Sequence, residues 1–328
     1  MVLIFALTVL SVAVAGQNEK GTDNNATKKL NRTGKTAEVE SSKPGEAAET
    51  SFPISGENAG IPCQMEELTS PQFAKAVVQS GGVCVIPMGI IEKHSTHLPL
   101  GTDLYEARTS VIRAAEKEYA VVFPPYFVGQ IFEAKHQPGT IAYSNELMWQ
   151  MLDETCQELS RNGLKKIILF NGHGGSTSFL NYFCQSQLAS GRDYVVVLFQ
   201  SGPDQDLDRQ INALKAAKLD GHAGEEETAM MSFIRPDLVD TEALAVESGA
   251  DQRRLAEMPH GFTGIHWYAR FPNHYAGDMV RIDPKLGELL IEKDAIQLAA
   301  LIRWLKNNNT VEQLQEEFFR RSADPVPF

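Results

Sequence analysis

Val83-Cys84-Val85-Ile86-Pro87-Met88 runs through Gly89-Ile90-Ile91 into Glu92-Lys93-His94-Ser95-Thr96-His97-Leu98-Pro99-Leu100-Gly101-Thr102-Asp103. The unbroken apolar run reads as a strand buried on both faces, as in parallel sheets. The polar stretch at its exit carries Glu92, His94 and Asp103, three metal-ligating side chains within a dozen residues. Strand exits are where an open α/β sheet presents its chemistry. Two carboxylates and an imidazole suit a hydrolytic ion of the zinc or manganese kind, which makes water nucleophilic near neutral pH.

Outward from this stretch, short β-branched runs alternate with helical patterns. Helices are predicted over 103–119, 144–162, 176–190, 206–219 and 284–307, the third helix-forming run following a glycine-rich turn. Ser144 or Asn145 is the expected N-cap of the second, and Pro284 fits the first turn of the last. Strands are predicted over 120–123, 165–170 and 193–199 in addition to 83–88. Parallel strands joined by crossover helices on both faces make a three-layer α/β/α domain with a mostly parallel sheet. Residues 258–282, rich in Pro, Gly, His and aromatics, lack periodicity and read as an ordered loop region.

The chain has 328 residues and a net charge of −12, leaving no cationic surplus to neutralise nucleic-acid phosphates. Residues 1–16 are almost wholly apolar and end in Ala13-Val14-Ala15, the pattern of a secretory signal peptide, although no Lys or Arg precedes the run. An exported protein, periplasmic or secreted, with no stable membrane span after processing, is the expectation. Residues 17–55 are polar and read as a disordered linker, so the folded domain is expected over 56–328. Asn25, Asn31 and Asn308 stand in glycosylation sequons, which matter only in a eukaryotic secretory route. The four cysteines, Cys63, Cys84, Cys156 and Cys184, form no C-x-x-C pair, so thiolate metal binding is not expected. Buried free thiols are the simpler reading.

Two further segments complete the inventory. Phe170-Asn171-Gly172-His173-Gly174-Gly175-Ser176 follows a strand and leads into a helix, so His173 can reach the crevice served by Glu92. The loop is neither G-x-G-x-x-G nor a Walker pattern, which weakens a phosphate-cradling reading. No G-x-S-x-G is present, so Ser176 and Ser178 read as capping residues. Asp220-Gly221-His222-Ala223-Gly224-Glu225-Glu226-Glu227-Thr228 adds a histidine and three acids. A run of acids is ordinarily a solvated helix start, but here it enters apolar Ala229-Met230-Met231, so one carboxylate can turn inward. Residue physics does not select which. Glu92 and His94 would share a face if strand geometry persisted past Met88. An isolated Asp at the position of Asp103 would read first as a helix cap, but Glu-x-His just upstream turns the reading towards a ligand. Together the segments hold the parts of a two-metal hydrolytic site with a spare histidine for proton transfer.

The first segment resembles the Glu-Gln-His-Gly-Pro-His-Leu-Pro-Leu-Gly-Thr-Asp of the creatininase family. The second is similar to its Asn-Gly-His-Gly-Gly-Asn and the third to its His-Ala-Gly-x-x-Glu-Thr. Gln137-Pro138-Gly139-Thr140 and Tyr275-Ala276-Gly277-Asp278 also fit, and the resemblance spans about Met65 to Leu305. It implies a creatininase-like amidohydrolase that cleaves a C–N bond in an amide, cyclic amide or formamide, with a hydroxide held by two divalent ions. Zinc or manganese, or both, are the implied ions, with iron as a further option. Glu92 and His173 would bind one, His94 and Glu227 the other, with Asp103 between them and His222 transferring protons. His97 and His136 match family positions and would support the site without binding metal. A homo-oligomer and a small-molecule amide substrate are also implied.

Departures from the family pattern concern substrate. Lys93, Ser95 and Thr96 replace Gln, Gly and Pro. Gly174 and Gly175 stand where creatinine-hydrolysing members carry Tyr-Glu, and Lys218 stands where they carry a tryptophan. These replacements argue against creatinine itself. The alternative to an enzyme is an exported metal-containing binding protein without turnover.

Overall fold

The computed structural model describes residues 60–326 apart from 245 and 280. The signal peptide and linker expected over 1–55, with the first two sequons, lie outside the described residues. In chain order the elements are α1 (Ser70–Gln79), β1 (Val83–Met88), α2 (Thr102–Lys117), β2 (Val121–Val122), α3 (Asn145–Arg161) and β3 (Lys166–Asn171). There follow α4 (Thr177–Ser186), β4 (Val195–Leu198), α5 (Gln205–Leu214), β5 (Asp220–His222) and α6 (Glu225–Ile234). The last are α7 (His266–Arg270), β6 (Ala276–Gly277), α8 (Pro284–Asn307) and α9 (Thr310–Ser322).

Four strands form one parallel sheet in the order β2-β1-β3-β4. The unbroken apolar runs follow from its two covered faces, because successive side chains point to opposite sides. Cys84, Ile86 and Met88 of β1, with Ile167 and Leu169 of β3, pack against Met148, Leu152 and Cys156 of α3 and Leu180 and Phe183 of α4. Val83, Val85, Ile168 and Phe170 face the other way, onto Ala107, Val111 and Ala114 of α2 and Leu298 and Ile302 of α8. The domain is the expected three-layer α/β/α sandwich. All four cysteines are free. No described helix is long and apolar enough to cross a membrane.

Strand β1 and helix α8 have the predicted bounds, and Ser144 caps α3 by accepting from the Leu147 N–H. The other boundaries move. The helix expected to reach Leu219 stops at Leu214, because side chains capture the next backbone donors. Glu225 accepts from the N–H groups of Ala216 and Ala217, both at 2.7 Å, and Asp278 from those of Lys218 and Leu219 at 3.2 and 2.7 Å. The chain then extends into β5, which pairs antiparallel with β6 in a second small sheet. The region 258–282 is therefore more than loop. It holds five-residue α7 and two-residue β6, both too short to show a period.

Helix α6 lies against α8 and α2. A Cβ on Gly287 of α8 would collide with the Ala229 carbonyl of α6, so this crossing requires glycine. The close approach fixes the helix that carries Glu227.

Candidate metal centre

Strand geometry does not persist past Met88, contrary to the simplest reading of the Glu92-x-His94 spacing. The chain instead closes a compact loop, with the Glu92 N–H donating to the Leu100 carbonyl at 3.0 Å and a bridge between His94 and Leu98. Strands β1 and β3 run in register to Met88 and Asn171, so His173 emerges beside this loop. Asp103 is not a cap. Gly101 holds the N-cap position of α2, and the Asp103 carboxylate turns inward from the first turn.

The ligand-type atoms converge in three groups of three, the atoms of each within 4.8 Å of one another. Glu92, Asp103 and His173 form one, His94, His222 and Glu227 a second, and Glu92, His222 and His274 the third. Asp103 joins the first two: its Oδ2 lies 3.2 Å from His173 Nδ1 and its Oδ1 2.9 Å from His94 Nε2. Glu92 Oε1 lies 2.8 Å from His173 Nδ1, and Glu227 Oε2 lies 3.9 Å from His94 Nε2.

Outer contacts orient the rings. His173 Nε2 sits 2.9 Å from the Gln130 carbonyl, His94 Nδ1 3.3 Å from that of Glu92, and His222 Nε2 2.9 Å from that of Lys93. A ring N–H given to a carbonyl leaves the other nitrogen with a lone pair, and in His94 and His173 that nitrogen faces the carboxylates. Glu92 Oε1 and Asp103 Oδ2 are buried without a hydrogen-bond partner. Acceptors and lone pairs that crowd one point, with oxygens left orphaned, fit divalent cations held by N and O donors.

The electrostatics agree. Burial alone would raise the Glu92 carboxyl, but the charges of His173 and His222, with the N–H of His274, hold it well below the usual carboxylate range. Asp103 is lowered against its burial, chiefly by the charge of His94 and then by its close contacts with the His173 and His94 rings. Burial opposes charge on His94, yet Asp103, Glu227 and Glu92 raise it to about 9. Glu92 and Asp103 likewise raise His173 well above its ordinary value against burial. His222 moves the other way, lowered by burial and by the charge of His94, and so remains neutral near pH 7.

The structure also sorts the three acids. Glu225 is spent on the Ala216 and Ala217 N–H groups, and Glu226 pairs with Lys215 at 2.6 Å. Glu227 alone turns to His94, where it also accepts from the Ala223 N–H. His97 is buried 2.9 Å from the Thr228 hydroxyl, one residue beyond Glu227 in α6. Burial, then the charge of His94, pushes it down to about 4. His136 is exposed outside all three groups, 2.8 Å from the Pro272 carbonyl. Of the positions that depart from the family, Gly174 is exposed with open space around its α-carbon and Lys218 is exposed, whereas a Cβ on Gly175 would lie 2.5 Å from His173 Nε2.

Two residues escaped the sequence reading. Trp267 donates its indole N–H to His274 Nδ1 at 2.9 Å, so His274 carries its proton on Nε2 and donates it to Glu92 Oε2. This pair orients Glu92 and leaves Oε1 facing Asp103 and His173. The only trace in the sequence is that His274 directly precedes the Tyr275-Ala276-Gly277-Asp278 fragment.

Comparison with known proteins follows the same lines. The sequence model of the creatininase family, described as creatinine amidohydrolase, matches residues 66–302. The chain belongs to the creatininase family. That membership places it among hydrolases acting on carbon–nitrogen bonds. It is 27% identical over 188 residues to the creatinine amidohydrolase of Pseudomonas putida, covering 53% of this chain and 72% of that protein. It is 31% identical over 180 residues to the mycofactocin precursor peptide peptidase of Mycolicibacterium smegmatis, covering 53% of this chain and 65% of that protein. A solved creatininase with Mn superposes with a TM-score of 0.62 at 22% identity, covering 74% of this chain and 97% of that one. A creatininase variant complexed with creatine gives 0.61 at the same identity and coverage. Another variant is of a Zn-Zn type.

Proposed function

We propose that this creatininase-family chain hydrolyses the C–N bond of an amide, cyclic amide or formamide with two divalent ions, zinc or manganese or both, iron being a further option. Glu92 and His173 would hold one ion, His94 and Glu227 the other, and Asp103 would reach both. Such ions, when bound, activate water and polarise the substrate carbonyl. The observation that carries the reading is the pair of ligand groups meeting at Asp103, with Glu92 Oε1 and Asp103 Oδ2 buried and unpartnered.

The chain's own residues supply the rest. Glu92 and Asp103, held ionised, provide anionic donors. His222 has Nε2 at the Lys93 carbonyl, so its Nδ1 is available to take a proton from water and return it to the leaving nitrogen. Trp267 and His274 keep Glu92 in place. Substrate class is argued from relatives that act on creatinine and on a precursor peptide, which share an amide bond. Gly174, Gly175 and Lys218, which stand where creatinine-hydrolysing members carry Tyr, Glu and a tryptophan, support a substrate other than creatinine. Export, from residues 1–16, and self-association are proposed on the sequence and on the resemblance.

The test is elemental analysis of the purified protein and of Asp103→Ala. Two divalent ions per chain are expected in the natural sequence, and loss of both in the variant. Two ions retained in Asp103→Ala would remove Asp103 from its place between the sites. A protein that binds the ions but releases no amine or acid from any amide, lactam, formamide or peptide would favour the binding-protein alternative.

A further inference from the structure

A cavity of about 240 Å³ lies between α2, the end of β3, β5, α6 and α8. His222 and Glu227 belong to its lining, so it adjoins the candidate centre. Four more carboxylates line it, from Glu106, Asp220, Glu226 and Asp294, and no Lys or Arg does. Lys215 pairs from outside with Glu226 at 2.6 Å and Asp220 at 3.4 Å. Lys293 is spent on Asp208 at 2.6 Å, so Glu106 and Asp294 have no ion-pair partner among the described residues.

Glu106 is the decisive residue. It sits one helical turn after Asp103 on α2 and is 8% exposed, and its side chain makes no hydrogen bond among the described residues, with Oε1 buried and orphaned. Burial, then the charges of Glu227 and Asp103, raise this unpartnered carboxyl well above its ordinary range, and a cationic donor seated beside it would restore its charge. The volume is several times that of a water molecule, about 30 Å³, and suits a small organic group better than a bare ion. Ala107, Phe170 and Met230 add apolar wall for a short methylene chain.

We propose that this cavity selects amide substrates carrying an ammonium or amidinium group, held by Glu106 and Asp294 while the scissile amide lies at His222 and Glu227. The assignment rests on the amidohydrolase reading for its substrate and on the cavity alone for its cation. A carboxylate-bearing substrate would be repelled by the same lining.

Two measurements on the zinc-loaded protein test it. Calorimetric titration compares 1,4-diaminobutane with 1,4-butanediol, and turnover compares N-acetyl-1,4-diaminobutane with the neutral isostere N-pentylacetamide. The diamine is expected to bind, and the cationic amide to be preferred, by roughly tenfold or more, the size of one charge-assisted contact. Glu106→Gln and Asp294→Asn should each reduce that preference, whereas Glu106→Asp should keep part of it; circular dichroism checks that each variant folds. Equal binding of diamine and diol, or a preference unchanged in Glu106→Gln, overturns the inference. So does a third zinc per chain that Glu106→Gln removes, which would make the ligand inorganic. Diamine binding without hydrolysis of either amide supports the cation site and counts against the proposed function. Metal-dependent hydrolysis without cation preference sinks the inference alone.

Discussion

At the residue scale, the candidate centre stores backbone strain beside its ligands. Ser95, Ala223 and His274 have φ of 55°, 54° and 53°, a region that L residues rarely adopt. Ser95 follows His94 and Ala223 follows His222, so each kink turns an imidazole into the site. Ser95 stands where the family pattern has glycine, and its hydroxyl is buried without a partner. Ser95→Gly relieves a left-handed conformation costing about 1–2 kcal/mol against roughly 0.5–1 kcal/mol of added chain entropy. A gain in stability of about 1 kcal/mol is expected in denaturant melts, and a loss would show that Ser95 contributes more than its backbone suggests. His222→Ala should keep both ions while turnover falls by about 10²–10⁴-fold, the ordinary contribution of a proton-transfer residue. Normal turnover in that variant would remove the role. Legibility differs among these residues. Glu92, His94, Asp103 and His173 stand at strand exits and helix starts, where sequence reading looks for chemistry. Choosing Glu227 among three acids needed the family pattern, since the partners that occupy Glu225 and Glu226 are set by folding. His274 meets Glu92 from 182 positions away, a pairing no local pattern records.

At the element scale, legibility tracked length and burial symmetry. Strand β1 has six consecutive buried residues, and α8 opens with Asp283 capping and Pro284 at its first turn, so both had clear bounds. Helix α6 starts on three acids suited to a helix N-terminus but then packs against both α2 and α8, so its apolar residues form no single stripe. The fit between β1 and α2 sets the site's shape. A Cβ on Gly89 would lie 2.5 Å from the Leu104 nitrogen and 2.6 Å from the Asp103 carbonyl carbon. The strand exit therefore touches the backbone that carries Asp103. Gly89→Ala is expected to cost about 1–3 kcal/mol, as overpacking does, and to weaken metal retention because Asp103 must shift. Calorimetry and metal analysis check the two effects together. Unchanged metal content at reduced stability would mean that the strain relaxes away from Asp103.

At the scale of the whole molecule, folding and metal loading draw on the same buried charges. After chelation, the imidazolium charge of His94 and His173 balances Glu92 and Asp103. A histidine raised on folding, from 6.5 to about 9 for His94, stabilises fully below its unfolded value, and that stability is lost as pH rises through the folded value. The carboxylates, depressed on folding, contribute above about pH 4–5 and lose that contribution as pH falls. The chelated protein should therefore be most stable between these limits and melt at progressively lower temperature from about pH 6.5 to 9, where buried carboxylates lose their counter-charge. Divalent ions held as proposed would replace those protons, so loading should release protons and strengthen with pH. They would also stabilise by about 2.7 kcal/mol per site at a hundredfold excess over Kd. Thermal melts across that range should then diverge, falling for the chelated protein and holding for the zinc-loaded one. Curves that fall in parallel would mean that the ions do not neutralise Glu92 and Asp103, and the ligand assignment would fail at its charge balance.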